Sequence, residues 1–113
     1  MKDKRMHYVD NEKFCEEMTR WKKRVLDARE VEEVDPPSTE FMGECFLKIC
    51  EHLIMRPNFI NYTFRDDLIS DGIENCLLYA NIFNPEKSKN PFSYFTQIIH
   101  HAYDVSYTHL RAH

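Results

Sequence analysis

Two groups of side chains in this sequence have types and spacings suited to binding a partner. Asp67, Asp71 and Glu74 recur at steps of four and three residues, which places three carboxylates along one edge of a helix. Such an edge can pair with cationic side chains of another molecule, although most acidic helix edges are only solvated. The second group mixes aromatic and basic residues between Lys87 and His101, a combination that can contact nucleic acid.

The sequence lacks the patterns that most often carry catalysis or metal binding. Glu51 and His52 are adjacent, so they do not form the Glu-x-x-His motif of helical di-metal sites, and no HExxH motif or glycine-rich phosphate loop occurs. No Cys-x-x-Cys pair occurs, and the cysteines sit within or beside apolar helical stripes, which favours buried free thiols over disulfides or zinc. These cysteines are Cys15, Cys45, Cys50 and Cys76. We predict a protein that is not an enzyme and that uses no cofactor and no metal.

Length and composition predict a single all-α unit. The chain has 113 residues, of which 42% are hydrophobic and 30% are charged, as in ordinary globular domains. It has only two glycines, Gly43 and Gly72, and no sustained period-two alternation, so an all-β fold is disfavoured. We expect a small bundle of about four helices. No stretch approaches the roughly 20 apolar residues of a membrane span or resembles a secretory signal, so we expect no membrane contact and a cytoplasmic location.

The net charge limits how this chain could bind DNA. It is −4 at neutral pH, whereas proteins bind duplex DNA chiefly by neutralising phosphates with lysine and arginine. We therefore expect weak binding to free DNA. Any contact with DNA is expected while a larger basic partner holds the chain in place.

Hydrophobic periodicity predicts two helices in the first half of the chain. Asp10 is the expected N-cap of the first, and Ser38 or Thr39 caps the second, which Pro57 ends. The apolar stripes are Phe14, Met18, Trp21 and Val25 in the first helix, and Phe41, Cys45, Ile49 and Leu53, widened by Phe46 and Cys50, in the second. The acidic segment 28–37 ends in two prolines. We interpret residues 1–37 as an N-terminal helix followed by an acidic linker.

A third helix is predicted from Phe64 to about Phe83. The run from Thr63 to Asp66 is similar to a capping box, with aspartate in place of the usual glutamate or glutamine. The expected apolar positions of this helix are Leu68 or Ile69, Ile73, Cys76, Leu77, Ala80 and Phe83.

A fourth helix is predicted to begin at Pro91 with Asn90 as its N-cap. Its apolar stripe is Phe92, Phe95, Ile98, Ile99 and Ala102, which leaves Tyr94, Gln97, His100 and His101 nearer the surface. Residues 105–113 do not continue this period, and they resemble the translation of a sequencing-library adaptor. We interpret 105–113 as a non-native tail and 38–104 as a helical core domain.

The order of these parts resembles the polymerase-binding and promoter-melting segment of the sigma-70 family of transcription initiation factors. The matching residues are DLISDG at 67–72, an apolar run that ends in Phe83-Asn84, and Phe92-Ser93-Tyr94-Phe95. The flanking YVDNEKFCEEMTRWK and MRPNFINYT make the chain most similar to the late-transcription sigma factors of T-even-type bacteriophages. So do Ile98 and Ile99, where bacterial sigma factors carry paired tryptophans. The resemblance covers roughly residues 8–104 and implies a C-terminally truncated factor.

This resemblance implies two contacts in the cytoplasm of a bacterial host cell. The third helix would dock on the coiled coil of the largest subunit of core RNA polymerase. Carried over by position, the docking residues are Asp67, Ser70, Asp71, Ile73 and Leu77. Within that complex, the loop and the fourth helix would contact the AT-rich non-template strand of promoter DNA. The DNA-binding candidates are Lys87, Lys89, Phe92, Tyr94, Phe95, His100 and His101, although periodicity also assigns Phe92 and Phe95 to the core.

One alternative function would use the same acidic helix. A non-catalytic helical interaction module, such as a polymerase modifier that does not touch DNA, would need the same docking residues. Contact with pre-melted AT-rich DNA in the polymerase complex distinguishes the two functions.

Overall fold

Four helices pack around one core that is rich in phenylalanine. The structure is a computed structural model, and it describes residues 8–56 and 63–111. In chain order, the helices are α1 (Asn11–Glu30), α2 (Glu40–Leu53), α3 (Arg65–Ala80) and α4 (Pro91–Arg111). The described ranges contain no strand, so the predicted all-α bundle is confirmed.

Helix α1 begins as its local signals predict. The Asp10 side chain accepts a hydrogen bond from the Lys13 backbone N–H at 3.2 Å, and all four predicted stripe residues are buried. The helix continues to Glu30, three residues into the predicted linker. The linker then folds back onto α1. There the Trp21 indole N–H donates hydrogen bonds to the backbone carbonyl oxygens of Pro36 and Pro37, at 3.2 Å and 3.0 Å.

Helix α2 is capped by Thr39, whose hydroxyl oxygen accepts a hydrogen bond from the Met42 N–H at 3.3 Å. The predicted stripe is buried except for Phe41, which is half-buried, and Met42 is a core residue that periodicity missed. The helix ends at Leu53. Pro57, its predicted stop, and the rest of 57–62 lie outside the described residues.

Helix α3 departs most from its sequence pattern. Thr63 does not cap it, because Phe64 occupies the N-cap position with a non-extended backbone and makes no side-chain capping bond, so the capping-box prediction was wrong. The helix ends at Ala80, and Phe83 reaches the core from the loop that follows. Leu77, predicted as an apolar core position, is 44% exposed.

Gly72 gives α3 its close contact with α2 and α4. A Cβ atom at this position would lie 2.9 Å from Cys50 Sγ and 3.0 Å from Tyr103 Cε1. Both neighbours are fully buried, and the Tyr103 hydroxyl donates a hydrogen bond to the Cys50 carbonyl oxygen at 2.8 Å. A glycine is therefore the residue that lets these three helices approach here.

Helix α4 begins as predicted, because the Asn90 side chain accepts a hydrogen bond from the Ser93 N–H at 3.0 Å. It continues to Arg111, so the expectation that the helical pattern stops before residue 105 was wrong. The extra turns pack through Ser106 and Tyr107, which are half-buried.

The core joins all parts of the chain through phenylalanine rings. Phe95 of α4 lies 5.7 Å from Phe14 of α1, 4.7 Å from Phe46 of α2 and 5.8 Å from Phe83, measured between ring centroids. Such tilted and offset ring pairs add to the burial of their apolar area. The N-terminal helix thus packs into the same core as residues 38–104.

Candidate functional site

Helix α3 has two faces with different surroundings. Its inner face is buried and consists of Leu68, Gly72, Cys76 and Ala80. The opposite side, which we call the outer face of α3, consists of Asp67, Ser70, Asp71, Glu74, Leu77 and Leu78. Four of the five predicted docking residues belong to this outer face, whereas the fifth, Ile73, is half-buried and packs against the core. Within the outer face, Asp71 is half-buried and the other five residues are exposed.

The C-terminal half of the outer face exposes large aliphatic side chains. Leu77 is 44% exposed and Leu78 is 64% exposed, on adjacent positions of the helix. Single exposed leucines are common on protein surfaces, whereas a contiguous apolar area bordered by polar residues marks an interaction site. The carboxylates of the same face supply that polar border.

The outer face also carries two carboxylates without a partner among the described residues. Asp67 and Glu74 are exposed, and neither forms an ion pair with another residue in the described part of the chain. Asp67 lies in the first turn, where the helix dipole favours a carboxylate. Both carboxylates are therefore available to arginine or lysine side chains of another molecule.

Asp71 differs from these two carboxylates. Its Oδ2 atom accepts a hydrogen bond from the Ser106 hydroxyl of α4 at 2.5 Å, and the side chain is half-buried. The fold already uses Asp71 to fix α4 against α3, so Asp67 and Glu74 are the more accessible members of the acidic edge.

The aromatic candidates for DNA contact lie largely within the fold. Phe95 has no exposed area, so a base cannot stack on its ring. Phe92 is half-buried and makes an edge contact with Tyr8 at 5.5 Å between centroids.

Tyr94, like Phe92, is half-buried. Its ring lies 4.9 Å from Phe83, and its hydroxyl is 3.4 Å from the Tyr79 carbonyl oxygen. Burial raises the pKa of this hydroxyl, and Tyr79 raises it further. The hydroxyl stays neutral, so it adds no negative charge near a phosphate.

The basic candidates form two groups. Lys87 and Lys89 are exposed in the loop before α4, and His101 is exposed about 15 Å further along that helix at 1.5 Å per residue. His100 Nδ1 lies 3.2 Å from Asp104 Oδ2, so a carboxylate offsets the charge of its protonated form. The two lysines are therefore the members of the predicted set that are both exposed and permanently cationic near neutral pH.

Three of the four cysteines are buried, as predicted, whereas Cys15 is half-buried. Cys45, Cys50 and Cys76 are buried, and all four cysteines are free. Burial raises the pKa of Cys45 to about 12 and that of Cys50 to about 11, so both stay protonated near neutral pH. Within the described ranges, no group of three or more metal-binding side chains comes together.

Sequence reasoning missed the exposure of Leu78. Its position lies about 140° around the helix from the midpoint of Leu68, Gly72, Cys76 and Ala80, so a correct inner face would have predicted it. The predicted apolar stripe instead includes Leu77 and leaves out Gly72.

Comparisons with known proteins identify no relative of this chain. No family model, no curated protein and no solved structure matches it. Among the described helices, none combines the length and the hydropathy needed to cross a bilayer.

Proposed function

We propose that this chain is a sigma-70-type transcription initiation factor of the phage late class that docks on bacterial core RNA polymerase through the outer face of α3. One observation carries the proposal: the exposed carboxylates Asp67 and Glu74 share one face of α3 with the exposed leucines Leu77 and Leu78. The ordered resemblance of 67–72, Phe83-Asn84 and 92–95 to the sigma-70 family supplies the identity of the partner. The partner surface is the coiled coil of the largest polymerase subunit.

The composition of this face suits a helical hairpin that carries arginines. Burying Leu77 and Leu78 removes apolar surface from water, worth up to about 1.5–3 kcal/mol for each fully buried side chain. Asp67 and Glu74 would pair with cationic side chains and fix the orientation of the complex. Together the two groups provide an apolar centre with a charged rim, as in many specific interfaces.

Charge reversal tests this docking. We expect Asp67→Lys combined with Glu74→Lys to reduce capture of bacterial core RNA polymerase by at least about tenfold, because like charges would then face the partner. The helical circular dichroism signal is expected to stay unchanged, since both side chains are exposed.

Helix α2 provides a matched control. Glu44→Lys with Glu51→Lys reverses two exposed charges at the same seven-residue spacing on another helix, and it is expected to leave capture unchanged. Capture by the α3 double variant at the wild-type level would reject the docking face.

In the polymerase complex, we propose that the loop before α4 and the start of α4 contact the AT-rich non-template strand. Lys87 and Lys89 would bind phosphates, with His101 further along the helix, and Tyr94 would stack on an unpaired base. The net charge of −4 supports a contact made inside the complex rather than by the free protein.

A polymerase modifier that does not touch DNA is the second candidate, and the burial of the aromatic rings favours it. Phe95 is fully buried, and Phe92 and Tyr94 both pack against other rings. Crosslinking of the protein–polymerase complex to a pre-melted AT-rich DNA bubble separates the two functions. Crosslinks to the protein support an initiation factor, whereas polymerase capture without them supports a modifier.

A further inference from the structure

A groove lies between the second half of α1 and the loop that joins α3 to α4. Its volume is about 580 Å³, within the roughly 300–1,000 Å³ typical of ligand clefts. Leu26 of α1 and Ile82 of the loop line it, and they are 53% and 64% exposed. The groove therefore offers aliphatic surface that the fold leaves open to solvent.

Positive charge surrounds this aliphatic surface. Lys22, Lys23 and Lys89 line the groove, whereas Glu86 is the one carboxylate among its lining residues. This local excess of cations contrasts with the net charge of −4 of the whole chain. Charge complementarity thus selects an anionic occupant.

The fold partly desolvates Lys22, one of the three lysines of this groove. Its ammonium group donates a hydrogen bond to the Asn81 carbonyl oxygen at the end of α3, so the side chain crosses between the two walls. Burial lowers the pKa of Lys22, and the neighbouring Arg29 lowers it further. A carboxylate brought into the groove would stabilise this charge.

We propose that this groove binds a short acidic peptide segment of a partner protein, in which large aliphatic side chains lie between aspartates or glutamates. The aliphatic side chains would contact Leu26 and Ile82, and the flanking carboxylates would pair with Lys22, Lys23 and Lys89. This site shares no residue with the outer face of α3 and goes beyond the docking proposed there, although it includes Lys89, which the proposed DNA contact also uses.

The lining residues favour a peptide over single-stranded nucleic acid. Bases bind most strongly by stacking on exposed aromatic rings. The aromatic ring among the lining residues is Phe83, which is only 1% exposed and already packs against Phe95. Exposed leucine and isoleucine side chains instead match the apolar side chains of a peptide.

Fluorescence anisotropy with a synthetic probe tests this site on the full chain. The probe is a fluorescein-labelled peptide, Asp-Glu-Asp-Leu-Leu-Asp-Glu-Asp, and its amide counterpart, Asn-Gln-Asn-Leu-Leu-Asn-Gln-Asn, is the uncharged control. We expect the acidic peptide to bind at least about tenfold more tightly than the control. Amide NMR shifts are expected to change at Lys22, Lys23 and 82–89.

Two exposed positions give the variants. Lys23→Glu is expected to weaken the acidic probe about tenfold because it places a like charge in the groove, and Ile82→Ser about fivefold because it removes apolar contact. The matched controls, Lys13→Glu on α1 and Leu47→Ser on α2, lie outside the groove and are expected to change the Kd less than about twofold.

Three outcomes would overturn this proposal. One is the absence of saturable peptide binding at concentrations up to about 1 mM. Another is an equal loss of binding in the groove variants and their controls. The third is binding of oligothymidylate, but not of the peptide, with the same dependence on Lys23. Asp67→Lys with Glu74→Lys is expected to leave peptide binding intact, so failure here is distinct from failure of polymerase docking.

Discussion

The outer face of α3 and the aromatic start of α4 both carry residue types that suit binding to a partner. The fold treats them differently. It leaves Asp67, Glu74 and Leu78 exposed, whereas it packs Phe95 completely and Tyr94 partly into the core. Packing already explains a buried ring, but it does not explain neighbouring exposed leucines and carboxylates. The docking half of the proposed function therefore has stronger structural support than the DNA-contact half.

The largest expected contrast is in stability. Phe95→Ala is expected to lower the free energy of unfolding by about 3–5 kcal/mol, because it removes a buried ring that contacts three other rings and leaves a cavity. Leu78→Ala on the outer face is expected to change it by less than about 0.5 kcal/mol. Urea denaturation measures both, and similar losses in the two variants would contradict this distinction between the regions.

The two glycines test whether the inner face of α3 is as tightly packed as its geometry indicates. Gly72→Ala is expected to cost about 1–3 kcal/mol, since its Cβ would crowd buried Cys50 and Tyr103. Gly43→Ala, in α2 with no neighbouring atom within 4 Å of the added Cβ, is expected to gain up to about 1 kcal/mol. Thermal unfolding checks the opposite signs. Stabilisation by both substitutions would show that α3 packs more loosely than described.

Tyr94 tests the α4 side of the comparison. Tyr94→Ala is expected to weaken binding of the polymerase complex to an AT-rich bubble by about 1–3 kcal/mol, the contribution of one stacked base. Capture of polymerase is expected to remain unchanged. Tyr94→Phe keeps the ring and removes the hydroxyl near Tyr79, so it is expected to retain bubble binding. Equal loss of DNA binding and polymerase capture in Tyr94→Ala would assign this ring to packing alone.

Alkaline pH gives the smallest expected effect. Burial raises the pKa of Cys45 from 9.0 to about 12, so the unfolded chain releases this proton at lower pH than the folded chain. The contribution of the Cys45 thiol to the stability of the folded chain is complete below about pH 9, and it is lost as the pH rises toward 12. Between pH 9 and 10.5, we expect the unfolding free energy of the wild type to fall more steeply than that of Cys45→Ala, by up to about 1.4 kcal/mol per pH unit. An unchanged slope in urea titrations would contradict this assignment.

Local signals predicted much of the fold. Asp10, Thr39 and Asn90 cap their helices as expected, because each cap depends on one side-chain oxygen and the next three residues. The α1 stripe was also predicted, since a regular apolar period needs no tertiary information. The start of α3 was not predicted. The sequence has a capping pattern that begins at Thr63, but Phe64 occupies the N-cap position in the structure.

The candidate site was predictable only in part. The helical spacing places Asp67 and Glu74 on one edge, but it does not show that Asp71 accepts a hydrogen bond from Ser106, which is 35 residues away. Gly72 could not be assigned to the core by hydropathy, because its role depends on the approach of Tyr103. The groove of Lys23 and Ile82 likewise depends on how α1 packs against a distant loop.

Site-specific photocrosslinking tests the central claim most directly, because it reports which surface touches polymerase. A benzoylphenylalanine residue in place of exposed Ser70 on the outer face of α3 is expected to crosslink to the largest subunit of core RNA polymerase. The same residue in place of exposed Glu44 on α2 is expected not to crosslink. If residue 70 does not crosslink, or crosslinks no more strongly than residue 44, docking through the outer face of α3 is contradicted.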